Sequence, residues 1–362
     1  IFKDLIFTNN FFMEVYMLKL KNLFFPLLLI CVTTLIGCNK NTTSTSEVLS
    51  RTELFMGTVV KITLYDSNDS AILDKAFDRV AEIESLVSIN EAGTELDKVN
   101  DFAGISPVEV TSTTYEIVEK GLEYSKLSNG DFDITIGPLV KLWNIGLDDA
   151  KVPTQEEIDS VLPLIDYNLL ELNKEDHTIF LKNKGMMIDL GSIAKGYAAD
   201  EISHILTENN VNSAIIDLGG NIYAHGIKPS GQDWNIGIQN PFSTRGDIIG
   251  VLKVKNKTVV TSGIYERYIE KDGVKYHHLL NPNTGYPFEN NIAGVSIITD
   301  KSIDADALST TVFAKGLEEG LKFVETLPNV DAIFITKDNK VYITNGIRDS
   351  FTLENEDFTL EN

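Results

Sequence analysis

The sequence predicts an α+β fold in which a mostly antiparallel sheet forms the core and helices flank it. Between residues 213 and 298 the chain runs through short apolar or alternating segments separated by turn residues, which is typical of antiparallel strands. Helical periodicity is concentrated outside this block, in residues 69–88, 111–127, 193–209, 304–314 and 317–327. Because helices and strands are partly segregated along the chain, this fold is favoured over a doubly wound sheet.

The first two predicted elements are a strand and a helix. The strand covers Glu53–Tyr65 and contains Met56, Gly57 and Thr58, with β-branched residues after them. Apolar residues then recur every three or four positions from Asp69 to Ser88, which predicts a helix with one buried face.

Two further helices have recognisable starts. The helix over Thr111–Leu127 has Ser112 as its predicted cap, and Thr154 with Glu157 forms a capping-box pattern before a short third helix. Between them, residues 130–138 are predicted to form a turn that enters a strand.

The remaining elements form a hairpin-like stretch, a helix and the strands of the sheet. The hairpin covers Thr178–Leu190 with a break at 183–185, and the helix covers Ile193–Asn209. The clearest strands after it are residues 214–218, 234–238, 250–254, 259–261, 295–298, 332–336 and 341–344.

The N-terminal residues have the pattern of a bacterial lipoprotein signal. Lys19 and Lys21 precede a mostly apolar run of about 14 residues that ends in a lipobox-like sequence at Cys38. This run is short for a membrane span of about 20 residues, so a lipid anchor on Cys38 is favoured over a transmembrane helix. We assign residues 1–16 to a non-native upstream extension, 17–37 to the signal peptide and 38–48 to a flexible Ser/Thr/Asn-rich tether.

A domain of about 300 residues remains, at 49–349, followed by an acidic tail at 350–362 that is predicted to be solvated. Cys31 and Cys38 both precede this domain, which excludes a thiolate nucleophile or cysteine metal ligands within it. The net charge of -22 argues against general nucleic-acid binding. Anionic ligands would need a divalent cation or a local group of Lys and Arg side chains.

The segment from Asp189 to Lys195 is the first candidate for chemistry. An apolar strand is predicted to bring Asp189 to a glycine-containing bend, after which a helix begins with free backbone N–H groups that favour an anion. Lys195 could reach a phosphate and Ser192 could face a cation, although an ordinary helix cap with a solvated lysine explains the pattern as well.

The second candidate is a carboxylate and a hydroxyl four positions apart, Asp306 and Thr310. On a helix this spacing places both on one face, as magnesium ligands would be. Asp304 is explained equally well as a helix cap.

A histidine pair supplies a candidate base. His277 and His278 lie on a predicted strand before a Pro/Gly turn, and adjacent strand residues point to opposite faces. One of them is therefore expected to enter a site, where it could transfer a proton near neutral pH. The sequence has neither a Walker loop nor a G-x-G-x-x-G motif, which argues against a P-loop or Rossmann site.

Seven motifs, in this order, resemble the ApbE family of FAD:protein FMN transferases. They are Met56–Thr58, Phe132–Leu139, Asp189–Tyr197, Asp217–Asn221, Thr261–Arg267, His278 with Pro282–Gly285, and Asp306–Thr310.

The resemblance implies an ApbE-like, T-fold-like architecture and Mg²⁺-dependent transfer of FMN from FAD to a Thr or Ser hydroxyl of an acceptor protein, with release of AMP. His278 resembles the base, and Asp306 and Thr310 resemble metal ligands together with Ser192 and Ala194 of the bend. The implied FAD contacts are Met56, Asn90, Asp131, Phe132, Asp133, Asp189, Lys195, His278, Leu279 and Leu280.

One position departs from the family pattern. Asn90 stands where the family often has a tyrosine that stacks on the flavin, and an amide lacks that surface. FAD pyrophosphatase activity, which yields FMN and AMP, is therefore the alternative, followed by a non-catalytic flavin-binding lipoprotein. The expected partner is an acceptor flavoprotein subunit of an extracytoplasmic or membrane redox system, at the extracytoplasmic face of a cell membrane to which a palmitate-type lipid anchors this chain.

Overall fold

The computed structural model describes residues 48–361, which lie within one compact unit. The predicted extension, signal peptide, Cys38 and almost all of the predicted tether lie outside the described residues. No helix within residues 48–361 has the length and apolar character needed to cross a membrane.

Seven α-helices lie in the described part of the chain. They are α1 (Ser70–Val87), α2 (Glu95–Asp101), α3 (Ser112–Leu127), α4 (Gly137–Trp143), α5 (Gln155–Val161), α6 (Ala194–Glu208) and α7 (Ser302–Glu325). Helix α7 contains a break at Gly316, whose φ of 74° is not helical, so the two predicted helical segments at 304–314 and 317–327 are confirmed.

A nine-stranded sheet forms the centre of the fold. In spatial order its strands are β1 (Leu49–Phe55), β2 (Thr58–Leu64), β6 (Ser213–Leu218), β7 (Asn221–Gly226), β10 (Lys257–Gly263), β13 (Ile292–Thr299), β14 (Asp331–Thr336), β15 (Lys340–Ile343) and β17 (Thr359–Glu361). All neighbours are antiparallel except β15 and β17, which confirms the predicted α+β class with an antiparallel core.

Three smaller sheets complete the structure. Their strands are β3 (Val108–Glu109), β4 (Leu170–Asn173) and β5 (Thr178–Leu181); β8 (Trp234–Gln239), β9 (Ile248–Val254) and β16 (Phe351–Leu353); and β11 (Tyr268–Lys271) with β12 (Val274–His277).

Both faces of the central sheet are buried. Alternate residues of a strand point to opposite faces, so Val260 joins the core under the helices while Val259 joins a second core under β8, β9 and β16. Ile297 and Ile298 divide in the same way, and every residue of β13 is buried. The helices that carry the site therefore pack on one face of a rigid sheet.

The predicted strand over residues 53–65 is wrong near its start, where the chain turns. Strands β1 and β2 form a hairpin, with Met56 and Gly57 at its turn in positive-φ conformations of 53° and 66°. Positive φ at both central residues is the geometry of a two-residue hairpin turn, which matches the twist of the strands. Met56 therefore lies at a loop tip rather than inside a strand.

Three local predictions also need correction. Thr111, not Ser112, caps α3, because its hydroxyl accepts from the Thr114 N–H at 3.5 Å. Residues 130–138 enter α4 rather than a strand, since Pro138 at the helix start favours helix initiation. Only residues 178–181 of the predicted hairpin form a strand, which pairs with β4.

The C-terminal residues are not a solvated tail. Strands β16 and β17 pair with β9 and β15, and the side chains of Phe351 and Phe358 are buried in the second core. The phenylalanines of the repeated Phe-Thr-Leu-Glu-Asn sequence supply apolar surface that outweighs its acidic character.

Candidate active site

The bend from Asp189 to Lys195 begins the site. Asp189 comes from an extended segment in which Met187 forms a single bridge to Ile136, rather than from a full strand. The Asp189 Oδ1 accepts from the Gly191 N–H at 2.8 Å, and the Asp189 N–H donates to the Ile134 carbonyl at 2.8 Å. This backbone anchoring holds the half-buried carboxylate at the start of α6.

Asp306 reaches the same bend from a helix 110 residues further along the chain. Its Oδ2 accepts from the Gly196 N–H at 2.9 Å, and the residue is only 4% exposed. Its Oδ1 lies 3.6 Å from the Lys195 ammonium, outside hydrogen-bond distance, while Lys195 donates to the Gly191 carbonyl at 3.0 Å. The structure thus brings together the two motifs that the sequence analysis proposed as one site.

The donor set at this junction suits a hard cation. Thr310 lies one helical turn after Asp306 and is half-buried. Residues 192–194 directly precede the segment that Asp306 contacts, so their backbone oxygens are candidates for further ligands. Within residues 48–361, no group of three or more His, Cys, Asp or Glu side chains could hold a metal ion. A cation here would depend on one carboxylate and neutral oxygens, which fits Mg²⁺ because it takes phosphate oxygens to complete its shell.

The positive charges of three side chains act on the Asp189 carboxyl. Burial raises the pKa of this carboxyl, while the Gly191 N–H and the positive charges of Lys141, Lys195 and Arg267 act in the opposite direction. These three side chains, which we call the cation cluster, come from α4, α6 and the segment after β10. They supply local positive charge in a chain whose net charge is -22.

Arg267 ties the hairpin turn to this cluster. Its Nη2 donates to the Gly57 carbonyl at 3.1 Å, which places Met56 and Gly57 beside the site. Glu84 fixes the same turn from α1, because its Oε1 accepts from the Met56 N–H at 2.6 Å.

Asn90 contacts the cation cluster at Lys141. The Lys141 ammonium donates to its side-chain oxygen at 2.7 Å, and Asn90 is exposed. The residue that departs from the family pattern therefore directly contacts a side chain of the cation cluster.

The two histidines face different surroundings, as predicted. His277 is buried, bonds through Nε2 to the Phe288 carbonyl at 3.1 Å and packs edge-on against Phe313. The Nδ1 of half-buried His278 lies 3.3 Å from the Arg267 carbonyl. Desolvation, reinforced by the positive charge of Arg267, lowers the pKa of His278 to about 3. His278 is thus a neutral imidazole beside the cluster.

Several predicted FAD contacts have other roles for their side chains. Phe132 is buried in the main core, and the Asp133 carboxylate accepts from Thr135 N, Thr135 Oγ1 and Tyr167 N at 2.8, 2.7 and 3.1 Å. Asp131 forms an ion pair with Lys315 at 3.0 Å. The side chains of Phe132 and Asp133 thus build the turn before α4, and their predicted contact with FAD would have to come from the backbone.

Leu279 and Leu280 are also occupied by packing. Leu279 is buried in the main core and Leu280 in a smaller cluster around Trp143. Their side chains position the segment after His278, so contact with a ligand would have to come from their backbone.

Sequence reasoning missed Lys141, Glu266 and Arg267. Arg267 is the last residue of the Thr261–Arg267 motif, but the motif alone does not indicate a role for its side chain. Nothing in the local sequence marks Lys141, because α4 itself was not predicted. Desolvation raises the pKa of Glu266, against the positive charges of Arg245, Arg267 and Lys195. Glu266 also lines a cavity of about 1170 Å³ between β8 and the β11–β12 hairpin, which adjoins the cation cluster through this residue.

Residues 56–334 match the family described as the ApbE family. A Treponema pallidum protein named FAD:protein FMN transferase is 37% identical over 329 residues, covering 86% of this chain and 91% of that protein. A Klebsiella pneumoniae protein of the same name is 35% identical and covers 85% of this chain and 96% of its own length.

Solved structures agree with these sequence relatives. The ApbE protein of Thermotoga maritima superposes with a TM-score of 0.77 at 29% identity, covering 84% of this chain and 99% of that chain. The apo flavinyl transferase ApbE of Pseudomonas stutzeri gives a TM-score of 0.74 at 26% identity, covering 84% and 96%.

Proposed function

This chain belongs to the ApbE family, and we propose from that premise that it transfers FMN from FAD to a hydroxyl of an acceptor protein and releases AMP. The observation that carries the proposal is the hydrogen bond between Asp306 and the Gly196 N–H, which joins the two candidate motifs in one place. Lys195 stands at this junction, and its charge also acts on His278, so the proposed metal site and the proposed base share one surface.

The cation cluster binds the pyrophosphate of FAD. Lys141, Lys195 and Arg267 offset the negative charge of two phosphates in a chain that otherwise repels anions. The turn at Met56 lies next to Arg267 and is placed to contact the same ligand.

The residues present fit a magnesium ion. Asp306 Oδ1, the Thr310 hydroxyl and a backbone oxygen of residues 192–194 would hold it. When bound, Mg²⁺ withdraws negative charge from phosphoryl oxygens and so favours attack at phosphorus.

His278 accepts the proton of the attacking hydroxyl. The Arg267 carbonyl near Nδ1 favours a proton on that nitrogen, which leaves Nε2 as the basic atom. As the acceptor Thr or Ser oxygen forms its bond to the FMN phosphorus, its proton passes to Nε2. The bond from that phosphorus to the bridging oxygen breaks, and AMP leaves with the bridging oxygen. Lys195 and Arg267 hold the phosphates during this exchange.

Asn90 favours hydrolysis as the second activity. Because an amide, rather than an aromatic ring, contacts Lys141, one side of the ligand lacks a stacking surface and is more open to water. Water would then attack the same phosphorus in place of the acceptor hydroxyl, which yields FMN and AMP.

We extend the proposal to location. The lipobox-like sequence at Cys38 supports lipid attachment and an extracytoplasmic, membrane-tethered position, where the acceptor would be a flavoprotein subunit of a redox system.

One assay separates the three functions. The protein is incubated with FAD, Mg²⁺ and an acceptor protein that carries a flavinylation threonine. Flavin fluorescence on the acceptor band in a denaturing gel supports transfer, whereas AMP and free FMN without a labelled band support hydrolysis. If FAD binds without any turnover, the result supports a non-catalytic flavin-binding protein.

A further inference from the structure

Helix α7 begins without a cap of its own. Lys301 stands at the N-cap position and makes no side-chain hydrogen bond to the first turn. The two N–H groups at the helix start, of Ser302 and Ile303, instead donate to Asp200 Oδ1 and Oδ2 at 2.7 and 2.9 Å. Asp200 belongs to α6, so one helix supplies the cap of the other.

The capping is reciprocal. Helix α6 also lacks a side-chain bond from its N-cap residue, Ile193, and its first turn is bonded by Asp306 of α7 through the Gly196 N–H. On α6, Asp200 lies four residues after Gly196, whose N–H donates to Asp306. On α7, Asp306 lies four residues after Ser302, whose N–H donates to Asp200. Two carboxylates therefore fix the rotation and depth of two helix starts against each other.

Close backbone contact makes this arrangement sensitive to small shifts. A Cβ atom added at Gly196 would lie 2.3 Å from the Ser302 carbonyl oxygen, so the helices touch backbone to backbone at this point. Any movement of the start of α7 is passed to Asp306 along one helical turn.

We propose that Asp200 is a positioning residue for the metal site, an inference that rests on the proposed function. By holding the start of α7, Asp200 keeps Asp306 Oδ2 on the Gly196 N–H and leaves Oδ1 turned toward the cation. Both oxygens of Asp200 are bonded to backbone N–H groups, so it acts through Asp306 and is not itself a ligand.

The burial of the Asp200 carboxylate is consistent with this role. Desolvation raises the pKa of Asp200 to about 6, against the two N–H bonds that lower it. Burying the Asp200 carboxylate is unfavourable, but its two oxygens orient two N–H groups of α7, which a neutral side chain with one acceptor would not do.

The start of α7 is also held by hydrogen bonds to the central sheet, so variants of Asp200 are expected to fold. The Ser302 hydroxyl contacts Asn221 Oδ1 at 2.6 Å and Thr258 Oγ1 at 3.0 Å, and both partners belong to the central sheet. Loss of Asp200 is therefore expected to change the alignment of α7 and not to detach it.

The experiment compares Asp200→Ala and Asp200→Asn with Glu201→Gln. Glu201 is the next residue on α6 but forms an ion pair with Arg79, so its substitution removes the same charge without touching α7. Mg²⁺ is titrated in two ways: the Mg²⁺-dependent rise in Tm without FAD, and the Mg²⁺ dependence of AMP release.

Asp200→Ala is expected to raise the half-saturating Mg²⁺ concentration about 10- to 100-fold in both titrations, as the loss of a residue that orients a metal ligand does. Asp200→Asn, which keeps one acceptor, is expected to fall between Asp200→Ala and the wild type. At saturating Mg²⁺ the turnover number recovers to near the wild-type value, and Glu201→Gln leaves both titrations unchanged.

An unchanged half-saturating Mg²⁺ concentration in both Asp200 variants would overturn the inference. A lowered Tm without Mg²⁺, combined with a wild-type response to Mg²⁺, would show a structural role alone and would also overturn it. If Asp200→Ala does not fold, Asp200→Asn decides by the same criteria. Failure of the proposed function is a different result, since wild-type protein would then leave the acceptor protein unlabelled while its Mg²⁺-dependent Tm shift could still be compared among variants.

Discussion

A methyl group added at Gly196 is expected to push the two site helices apart. The Cβ of Gly196→Ala would lie 2.3 Å from the Ser302 oxygen and 2.7 Å from the Ile303 Cα, whereas ordinary contacts begin at 3.4 Å. Because both neighbours are backbone atoms, the clash cannot be relieved by rotation of a side chain. The start of α7 must move by the missing distance, which is about 1 Å, and the Asp306 carboxylate moves with it.

The expected change in stability is small and the expected change in activity is large. Overpacking costs roughly 1–3 kcal/mol, while alanine in place of a helical glycine recovers about 1 kcal/mol, so the free energy of unfolding should fall by about 0–2 kcal/mol. A displacement of about 1 Å in a group that positions the reaction can cost on the order of 100-fold in rate. Catalysis, not the melting temperature, is therefore the informative measurement.

The assay is AMP release from FAD at a fixed, subsaturating Mg²⁺ concentration, with unfolding by urea measured in parallel. Gly294→Ala is the matched control, because its added Cβ would meet its nearest atoms at ordinary distances of 3.6 and 3.7 Å. We expect Gly196→Ala to lose about 100-fold and Gly294→Ala to stay within a few-fold of wild type. Wild-type turnover in a folded Gly196→Ala protein would refute the dependence of the site on this contact.

Three further variants test the proposed roles. Asp306→Ala should abolish Mg²⁺-dependent AMP release while leaving the fold intact by circular dichroism, and undiminished release would count against the ligand assignment. Arg267→Ala should weaken FAD binding about 10-fold or more in a fluorescence titration, because it removes a charge from the cluster and the bond to Gly57; equal affinity would exclude that contribution. His278→Ala should still bind FAD but lose transfer. Since the pKa of His278 is lowered to about 3, its basic form is fully populated above that pH, and the wild-type rate should show no histidine titration between pH 5 and 8. A titration of the wild-type rate near pH 6.5, or wild-type transfer by His278→Ala, would contradict this assignment.

The sequence predicted those parts of the fold that depend on local periodicity. Helices α1 and α6 lie within two residues of their expected bounds, because buried apolar faces repeat along them. The break at Gly316 was also anticipated from the pattern. The hairpin turn at Met56 was missed, since strand-forming residues lie on both sides and a methionine with positive φ is uncommon.

The site was predictable where both partners belonged to recognised motifs, and not where a partner lay outside any motif. Asp306 and the 189–195 bend were recognised separately, and their contact followed from the expectation of a shared ligand. Nothing in the local sequence indicates that Lys141 reaches Asn90 or that Asp200 caps α7, because residues 51 and 102 positions apart are joined only by the packing of helices on the sheet. Asp133 shows that a carboxylate in a family motif can also hold backbone, because it accepts from the N–H groups of Thr135 in its own turn and of Tyr167.

The charge of the chain sharpens the case for the cation cluster. A protein with a net charge of -22 repels FAD at a distance, so the attraction must come from the few groups that face the ligand. Lys141, Lys195 and Arg267 come from three elements that are far apart in sequence, and each is held by a separate contact, to Asn90, Gly191 and Gly57. The concentration of their positive charges in one place is therefore created by folding and has no equivalent in the unfolded chain. This explains why FAD binding should report on the native arrangement of α4, α6 and the hairpin turn together, and why added salt should screen the long-range repulsion more than the close contacts within the site.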